Sequence, residues 1–174
     1  MQEPITQEGY DLLVREFKFL LEREKPKTAH EKLVAAALGD RSENADYQAA
    51  KEKLRHIDKR LFYLDGMIQK ANIIDPSKLS HDRVCFGSSV KILDTLNDEE
   101  LIYTICGVVE AEPENALISV HSPLARSMMG KKNGDEFVLN LQNTKKEYEI
   151  LEIFYVNIFS LKKNIRDETH FSFH

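Results

Sequence analysis

The fold is decided by residues 47–71, which read YQAAKEKLRHIDKRLFYLDGMIQKA. Apolar side chains recur there at alternating intervals of three and four residues, at Tyr47, Ala50, Leu54, Ile57, Leu61, Leu64, Ile68 and Ala71. This a/d pattern continues without interruption for more than three heptads. It predicts a long helix that packs along a partner helix, as in a coiled coil.

A partner helix is predicted immediately upstream. Thr6 is a good N-cap residue, and the same spacing then recurs at Tyr10, Leu13, Phe17 and Leu20. In register, the seam continues through Glu24, Lys27, Glu31, Val34 and Leu38. Pro26 lies inside this helix, and we expect a kink rather than a break because the apolar spacing resumes in phase. With Gly39 at C′ and a short connection, the two helices are predicted to form an antiparallel hairpin.

The periodicity changes after Asp75, and Pro76 is expected to end the long helix. Short β-branched and aromatic runs then predict strands at Val84–Phe86, Ser89–Leu93, Leu101–Val108, Ala116–Val120, Glu136–Leu141 and Lys146–Tyr155. Ser122 as N-cap, Pro123 at N1 and Gly130 at C′ predict one short helix among them. We therefore expect an α+β protein with a coiled-coil arm (residues 1–75), a linker (76–80), an antiparallel β domain (81–158) and a mobile tail (159–174).

Composition narrows the class of protein. The 174 residues carry 24 basic and 29 acidic side chains, and this net charge of −5 disfavours a protein that coats duplex DNA by charge alone. The longest apolar run has six residues, whereas a membrane span needs about 20. The start lacks the layout of a signal peptide. Cys85 and Cys106 are expected to be buried packing thiols in a reduced, cytoplasmic protein.

Candidate chemistry lies in the turn between the two helices. Asp40 and Glu43 are three residues apart, so at a helix start their carboxylates could converge. The same pattern fits a capping box, with Asp40 as N-cap and Glu43 at N3, and both interpretations stay open. Two exposed carboxylates hold Mg²⁺ poorly alone, because the ion prefers six oxygen ligands. A metal role would therefore need ligands from a second molecule.

A basic stretch follows the turn. Residues 51–60 contain five Lys or Arg side chains and two acidic ones. Such a stretch is typical of a solvated helix face, and it would also suit a strip that binds the phosphates of a nucleic-acid strand. His30, His56 and His81 are isolated histidines and are expected to be inert.

Several motifs resemble the bacterial Gre transcript-cleavage factors, GreA and GreB. The tip, Gly39-Asp40-Arg41-Ser42-Glu43-Asn44-Ala45-Asp46-Tyr47, is similar to the signature of that family. Further similar stretches are Ile5-Thr6-Gln7-Glu8-Gly9-Tyr10, Ile118-Ser119-Val120-His121-Ser122-Pro123-Leu124-Ala125-Arg126 and Gly130-Lys131-Lys132-Asn133-Gly134-Asp135. The resemblance covers residues 4–156. It implies an FKBP-like C-terminal domain and a factor that acts as a monomer.

The resemblance also implies a function. The coiled coil would enter the secondary channel of RNA polymerase, where Asp40 and Glu43 would help to hold a catalytic Mg²⁺ beside the carboxylates of the polymerase. The polymerase would then hydrolyse backtracked RNA near its 3′ end, so the factor is not expected to be an enzyme alone. By family likeness, the remaining roles are tip positioning by Ser42, Asn44 and Tyr47, RNA binding by Arg41, Lys53, Arg55 and Lys59, and polymerase docking by Ser119, Ser122 and Pro123.

Two other functions compete with this one. The first is a secondary-channel regulator or inhibitor that does not stimulate cleavage, which the presence of both Asp40 and Glu43 disfavours. The second is a structural or chaperone-like hairpin whose tip carboxylates only cap the second helix.

Overall fold

The computed structural model describes residues 2–39, 43–142 and 144–162. The chain divides into two compact units, one comprising Gln7–Ile73 and the other comprising Pro4–Thr6 together with the chain from Ile74 onward. Of the described residues, no helix is both long and apolar enough to cross a membrane.

The first unit is a helical hairpin, and a short strand, β1 (Glu3–Ile5), precedes it in the chain. The elements of the hairpin are α1 (Gln7–Phe19), a π-helical turn (Leu20–Glu24), α2 (Lys25–Ala36), α3 (Ala45–Lys70) and β2 (Ala71–Ile73). Both α1 and α2 pack against α3. The heptad prediction is confirmed for α3, since Ile57 and Leu64 have no exposed surface and every other seam position is buried or half-buried.

The first helix does not keep the predicted phase. Around the π-helical turn the backbone N–H of Lys25 bonds the carbonyl of Leu20, five residues earlier. Helical backbone angles continue through Lys25, so the chain does not break before Pro26. A π turn holds one residue more than an α turn, and it therefore shifts all later side chains around the helix.

This shift changes which residues face α3. The predicted seam positions Lys27 and Val34 are exposed, and the residues that follow each of them, Thr28 and Ala35, are buried. Leu38, also predicted for the seam, is 76% exposed. The prediction of a seam resuming in phase is therefore wrong, by one residue.

The second unit is built on a five-stranded sheet in the order β5-β4-β3-β7-β6. The strands are β3 (Ser88–Asp94), β4 (Glu99–Cys106), β5 (Leu117–Ser119), β6 (Glu136–Leu141) and β7 (Thr144–Tyr155). All pairs are antiparallel except β4 with β5, which run parallel. The α+β class is confirmed, and the sheet departs from the purely antiparallel expectation at its β5 edge.

Two short helices complete this unit. Helix α4 (Pro123–Met128) buries Ala125 and Met128 in the main core, against residues such as Val90, Ile105 and Ile150. Helix α5 (Ile158–Leu161) buries Ile158 in a smaller cluster with Cys106 and Leu117. The expected tail boundary between residues 158 and 159 thus falls inside α5, and residues 163–174 lie outside the described part of the chain.

Three predicted local features differ in the structure. Val84–Phe86 is not a strand, although Val84 and Phe86 are buried and Val84 bonds the loop at Gly130 and Lys131 through its backbone. Helix α3 ends at Lys70, well before Pro76, which instead begins a 3₁₀ turn at Pro76–Lys78. Gly39 lies beyond C′, because α2 already ends at Ala36 with Ala37 as its C-cap.

Candidate functional site at the hairpin tip

The tip is organised by Asn44. Its side-chain oxygen accepts a hydrogen bond from the backbone N–H of Tyr47 at 3.0 Å, which makes it the N-cap of α3. Its side-chain amide donates to the carbonyl of Ala35 at 2.7 Å, near the C-terminus of α2. One amide group therefore satisfies an orphan donor of one helix and a carbonyl of the other, and so fixes the two helix ends together.

Glu43 precedes the cap and takes no part in it. The residue lies in the turn at N′, and it is exposed. Among the described residues, none forms a hydrogen bond or an ion pair with its carboxylate. The capping-box interpretation, with Asp40 as N-cap and Glu43 at N3, is therefore wrong, because Asn44 occupies the cap. Asp40, Arg41 and Ser42 lie outside the described residues.

Tyr47 lies in the first turn of α3 and is half-buried in the seam. The ammonium of Lys32 on α2 lies 5.7 Å from the centre of its ring, a distance that suits a cation–π contact. The two residues line a shallow groove of about 330 Å³ together with Ala29, Leu33, Ala36 and Leu54. Tyr47 thus helps to hold the tip against α2, as a positioning role requires.

The basic side chains behind the tip are largely paired. Lys53 contacts Glu24 across the hairpin at 3.2 Å, and Arg55 contacts Glu52 on its own helix. The hydrogen bond from Arg55 lowers the pKa of Glu52 to about 2. No described residue pairs with Lys59, which is exposed. The strip therefore carries less unbalanced positive charge than its sequence indicates, and Lys59, like Lys51, is an exposed cation without a pair among the described residues.

Two further ion pairs join α1 and α2 to α3 near these residues. The guanidinium of Arg60 bonds both carboxylate oxygens of Glu16, at 2.7 and 2.8 Å. The ammonium of Lys25 lies 2.8 Å from Asp58. Cross-helix pairs of this kind are typical of the positions that flank a coiled-coil seam.

The expected docking residues form a local turn in the second unit. The hydroxyl of Ser122 accepts from the N–H of Ala125 at 3.2 Å and caps α4, with Pro123 at N1. The hydroxyl of Ser119 accepts from the N–H of His121 at 3.1 Å. These bonds confirm the predicted cap and show what shapes the corner, and docking itself stays a prediction.

A magnesium site contained wholly in the described residues is not present. No group of three or more His, Cys, Asp or Glu side chains among them could hold a metal ion. The exposed, unengaged carboxylate of Glu43 is nevertheless a suitable single ligand for a hard cation. Among the described residues the tip therefore supplies one carboxylate, which fits part of a shared site.

Sequence reasoning missed the bridging role of Asn44 and the contact between Lys32 and Tyr47. A signal for the first was available, because Asn is a preferred N-cap residue and Asp46 follows within the first turn. The second depended on the phase of α2, which the π turn sets.

A helical hairpin with this tip, followed in the chain by a five-stranded unit with one short helix on its core, defines a two-part class of protein. Comparison with known families agrees with both parts. The model described as "Transcription elongation factor, N-terminal" matches residues 3–73, and "Transcription elongation factor, GreA/GreB, C-term" matches residues 79–155. The chain belongs to the GreA/GreB family of transcription elongation factors.

Individual relatives are similar over nearly the whole chain. The transcription elongation factor GreA of a Nitratiruptor species is 48% identical over 154 residues, which cover 88% of this chain and 94% of that protein. GreA of Helicobacter hepaticus is 47% identical over 156 residues, covering 90% and 96%. The solved structure of the GreA factor homolog 1 (Gfh1) of Thermus thermophilus is 21% identical with a TM-score of 0.42, covering 88% and 99%.

Proposed function

We infer that this protein carries its hairpin tip into the secondary channel of bacterial RNA polymerase. There it stimulates Mg²⁺-dependent endonucleolytic cleavage of backtracked nascent RNA and so rescues arrested complexes. Membership of the elongation-factor family supports the coarse part of this proposal. The finer part depends on the chemistry of the tip.

The observation that carries the proposal is the position of Glu43. Had Glu43 been the N3 residue of a capping box, its carboxylate would have been engaged with backbone N–H groups. Asn44 performs the capping instead, so the carboxylate of Glu43 is exposed at the end of the hairpin without a partner among the described residues. An unengaged carboxylate ahead of a rigid cap is a group available to another molecule.

The rigidity of the cap matters for this role. Asn44 is bonded to both helix ends, and Tyr47 packs beneath it against Lys32. The residue that precedes a fixed N-cap can move through few conformations, which lowers the entropy lost when its carboxylate binds. The tip is therefore suited to present a ligand at a defined place.

Magnesium would be shared between molecules. Glu43, with Asp40 beside it in the sequence, would supply carboxylate oxygens, and the polymerase, the RNA phosphates and water would supply the others. When bound, the ion acts as a Lewis acid on the phosphoryl group and lowers the pKa of a bound water. The residues of this chain hold and orient, and the hydrolytic site belongs to the polymerase, so the protein is a stimulating factor and not a nuclease by itself.

Contacts to the RNA and to the outside of the polymerase complete the proposal. Among the described residues that family likeness assigns to RNA binding, Lys59 is the cation best placed to meet phosphates, because Lys53 and Arg55 are already paired. Arg41 is proposed for the same role from family likeness. The corner at Ser119, Ser122 and Pro123 is proposed as the docking surface, where its bonded turn offers a fixed shape.

The decisive assay uses a stalled, backtracked elongation complex with Mg²⁺ and the purified protein. Glu43→Ala and Asp40→Ala should each lower stimulated cleavage by about 100-fold, the scale of losing one preorganised electrostatic group. Binding to the polymerase, measured separately by competition, should stay within about twofold because the hairpin packing is unchanged. RNA incubated with the protein but without polymerase should stay intact.

Glu31→Ala is the matched control, because Glu31 is also an exposed carboxylate on the hairpin and lies outside the tip. The Glu31→Ala variant should stimulate cleavage by the polymerase as strongly as the wild type does. Equal losses in Glu31→Ala and Glu43→Ala would contradict a specific ligand role. A wild-type protein that slows RNA synthesis without shortening the transcript would establish the non-cleaving regulator instead.

A second assay tests the strip. Lys59→Glu should weaken cleavage of long backtracked RNAs more than of short ones, since only long extruded strands would reach beyond the tip. Arg55→Glu should have a smaller effect, because Arg55 already carries a carboxylate partner. Equal effects of Lys59→Glu on long and short RNAs would argue against RNA tracking along α3.

A further inference from the structure

Three side chains with transferable protons meet in the second unit. The thiol of Cys85 lies 3.4 Å from the hydroxyl of Ser88 and 3.6 Å from Nδ1 of His81. The hydroxyl of Ser88 lies 2.8 Å from the same Nδ1. Thiol, hydroxyl and imidazole therefore form a connected group within one short segment of the chain.

The imidazole is oriented so that Nδ1 faces the thiol and the hydroxyl. Nε2 of His81 lies 2.9 Å from the carbonyl oxygen of Pro76, and because a carbonyl only accepts, Nε2 carries a proton. In the neutral ring Nδ1 is then the acceptor. The ring is also stacked on Tyr155, with centroids 5.6 Å apart. A base fixed by a third group beside a nucleophile is the arrangement that activates nucleophiles in enzymes.

Ser88 lies between the other two groups. Its side chain has no exposed surface, and its oxygen accepts the backbone N–H of Cys85 at 3.0 Å. That bond leaves the hydroxyl proton directed to Nδ1. The thiol can also donate to the carbonyl oxygen of Ser80, which lies 3.7 Å from the sulfur. When the thiol proton is directed to Ser88 instead, and the hydroxyl gives its own proton to Nδ1, the base reaches the sulfur through one intervening oxygen.

The two cysteines of the chain differ in access. Cys106 is fully buried beside Leu117 and Ile158, and burial, with the nearby charge of Glu110, raises the pKa of its thiol to about 12. Cys85 is partly exposed and lies in a loop, which corrects the expectation of a packing thiol in a strand. Cys106 can therefore serve as the comparison cysteine in the same chain, because its thiol is buried.

We propose that Cys85 is an activated thiol and the site at which this protein is oxidised by hydroperoxides, with His81 as its base. The thiol proton passes through Ser88 to Nδ1, and the thiolate sulfur attacks one peroxide oxygen. The S–O bond forms as the O–O bond breaks. The departing hydroxide takes the proton back from His81, so one thiol and one hydrogen peroxide give one sulfenic acid and one water.

The reduction of the sulfenic acid needs a second thiol from outside the chain. Cys106 is the only other cysteine, and it is buried in its own cluster. A low-molecular-weight thiol would therefore condense with the sulfenic acid to a mixed disulfide and release water. The expected product is a mixed disulfide between Cys85 and such a thiol, which a second thiol molecule can reduce back to Cys85.

The test measures the oxidation of Cys85 and Cys106 in one sample of the full chain. The protein is treated with hydrogen peroxide at pH 7, sulfenic acid is trapped with a dione reagent, and the two cysteines are quantified by peptide mass spectrometry. Cys85 in the native protein should react about tenfold faster than Cys85 in urea, because His81 and Ser88 are held beside the thiol only in the folded chain. Cys106 should react only in urea.

His81→Gln provides the matched variant, since the Gln amide can donate to the carbonyl of Pro76 but offers no basic nitrogen. The native rate at Cys85 should fall to the rate measured in urea. His30→Gln, on the exposed surface of α2, should leave it unchanged. A native Cys85 that reacts no faster than the unfolded one overturns the proposal, and that comparison decides the matter even where His81→Gln does not fold.

Discussion

The hairpin and the β unit use their polar side chains in opposite ways. In the hairpin the seam is apolar and the charged residues form exposed pairs such as Arg60 with Glu16, each worth about 0.2–1 kcal/mol. In the β unit polar groups are buried and bonded. Glu110 is 1% exposed and accepts from the backbone and hydroxyl of Thr6 and from the N–H of Gly107. Surface changes in the hairpin should therefore affect function, and buried changes in the β unit should affect stability.

Glu110→Ala should give the largest loss of stability. It removes the acceptor for the N–H groups of Thr6 and Gly107 and for the Thr6 hydroxyl, and each buried group left without a partner costs about 1–3 kcal/mol. We expect the free energy of unfolding in urea to fall by about 4 kcal/mol. The exposed Glu114→Ala should change it by less than about 0.5 kcal/mol. If both variants lowered the free energy of unfolding by similarly small amounts, buried polar groups would not be what stabilises the β unit.

Gly87→Ala and Gly130→Ala separate backbone strain from steric clash in the β unit. The two glycines have φ of +79° and +78°, so both variants bear a left-handed strain of about 1–2 kcal/mol. A Cβ at Gly87 would also lie 2.2 Å from Cβ of Pro76, whereas one at Gly130 has nothing within 4 Å. Gly87→Ala should lower the melting temperature clearly more. Equal shifts would show that Pro76 moves away without cost.

Thr28→Val and Thr104→Val should have effects of opposite sign. The hydroxyl of Thr28 in the hairpin is buried without a hydrogen-bond partner among the described residues, and that of Thr104 in β4 bonds Ser89 at 2.7 Å. Removing the first should stabilise by about 1 kcal/mol, and removing the second should destabilise by about 1–2 kcal/mol. Urea unfolding measures both. Destabilisation by Thr28→Val would mean that a water or a helix carbonyl satisfies its hydroxyl.

Asn44 allows its two bonds to be separated. Asn44→Asp keeps an oxygen that caps Tyr47 but removes the donor to Ala35, and Asn44→Ala removes both. We expect Asn44→Ala to lose about 1 kcal/mol of stability and Asn44→Asp to lose less, since a carboxylate also favours a helix N-terminus. Cleavage stimulation should fall in both variants. Full stimulation by Asn44→Asp would show that the bond between the helix ends is dispensable.

Asp94→Asn gives the smallest effect of these variants, and the stability that Asp94 contributes near neutral pH is lost in acid. Burial raises its pKa, but hydrogen bonds from Leu96 and Asn97 and the charge of Lys146 outweigh burial, so the pKa is lowered. A carboxyl with a lowered folded-state pKa stabilises above its unfolded pKa, near 3.9, and loses that contribution as the pH falls through the folded value. The wild type should therefore lose stability relative to Asp94→Asn below about pH 4. Parallel pH profiles would contradict this.

The sequence predicted most of the architecture because its periodic patterns are strong. The heptads of α3, the cap at Ser122 and the strand Glu136–Leu141 appear in the structure as expected. Local patterns failed where a contact elsewhere competes with them. Val84–Phe86 has the composition of a strand, yet its backbone bonds the loop at Gly130 and Lys131 and not a sheet neighbour.

At the candidate site the sequence predicted a capping box that the structure does not contain. The spacing of Asp40 and Glu43 matches a capping box, and Asn44, four residues after Asp40, is the residue that caps α3. Which residue caps depends on where α3 begins, and that depends on how α2 ends against it. The pairing of Lys53 with Glu24 could not be predicted from local sequence either, because the two residues are 29 positions apart in the chain.

What the sequence by itself determined is the periodicity: a long apolar seam, a change to strand patterns, and a set of tip residues that identify the family. Only the tertiary structure decided the phase and the partners. The π turn before Pro26 exchanges Lys27 for Thr28 in the seam, Asn44 and not Asp40 is the N-cap of α3, and the loop before β3 brings His81 to Cys85. Periodicity is a local property of the chain, whereas phase, capping and the pairing of side chains depend on contacts between residues that the fold brings together.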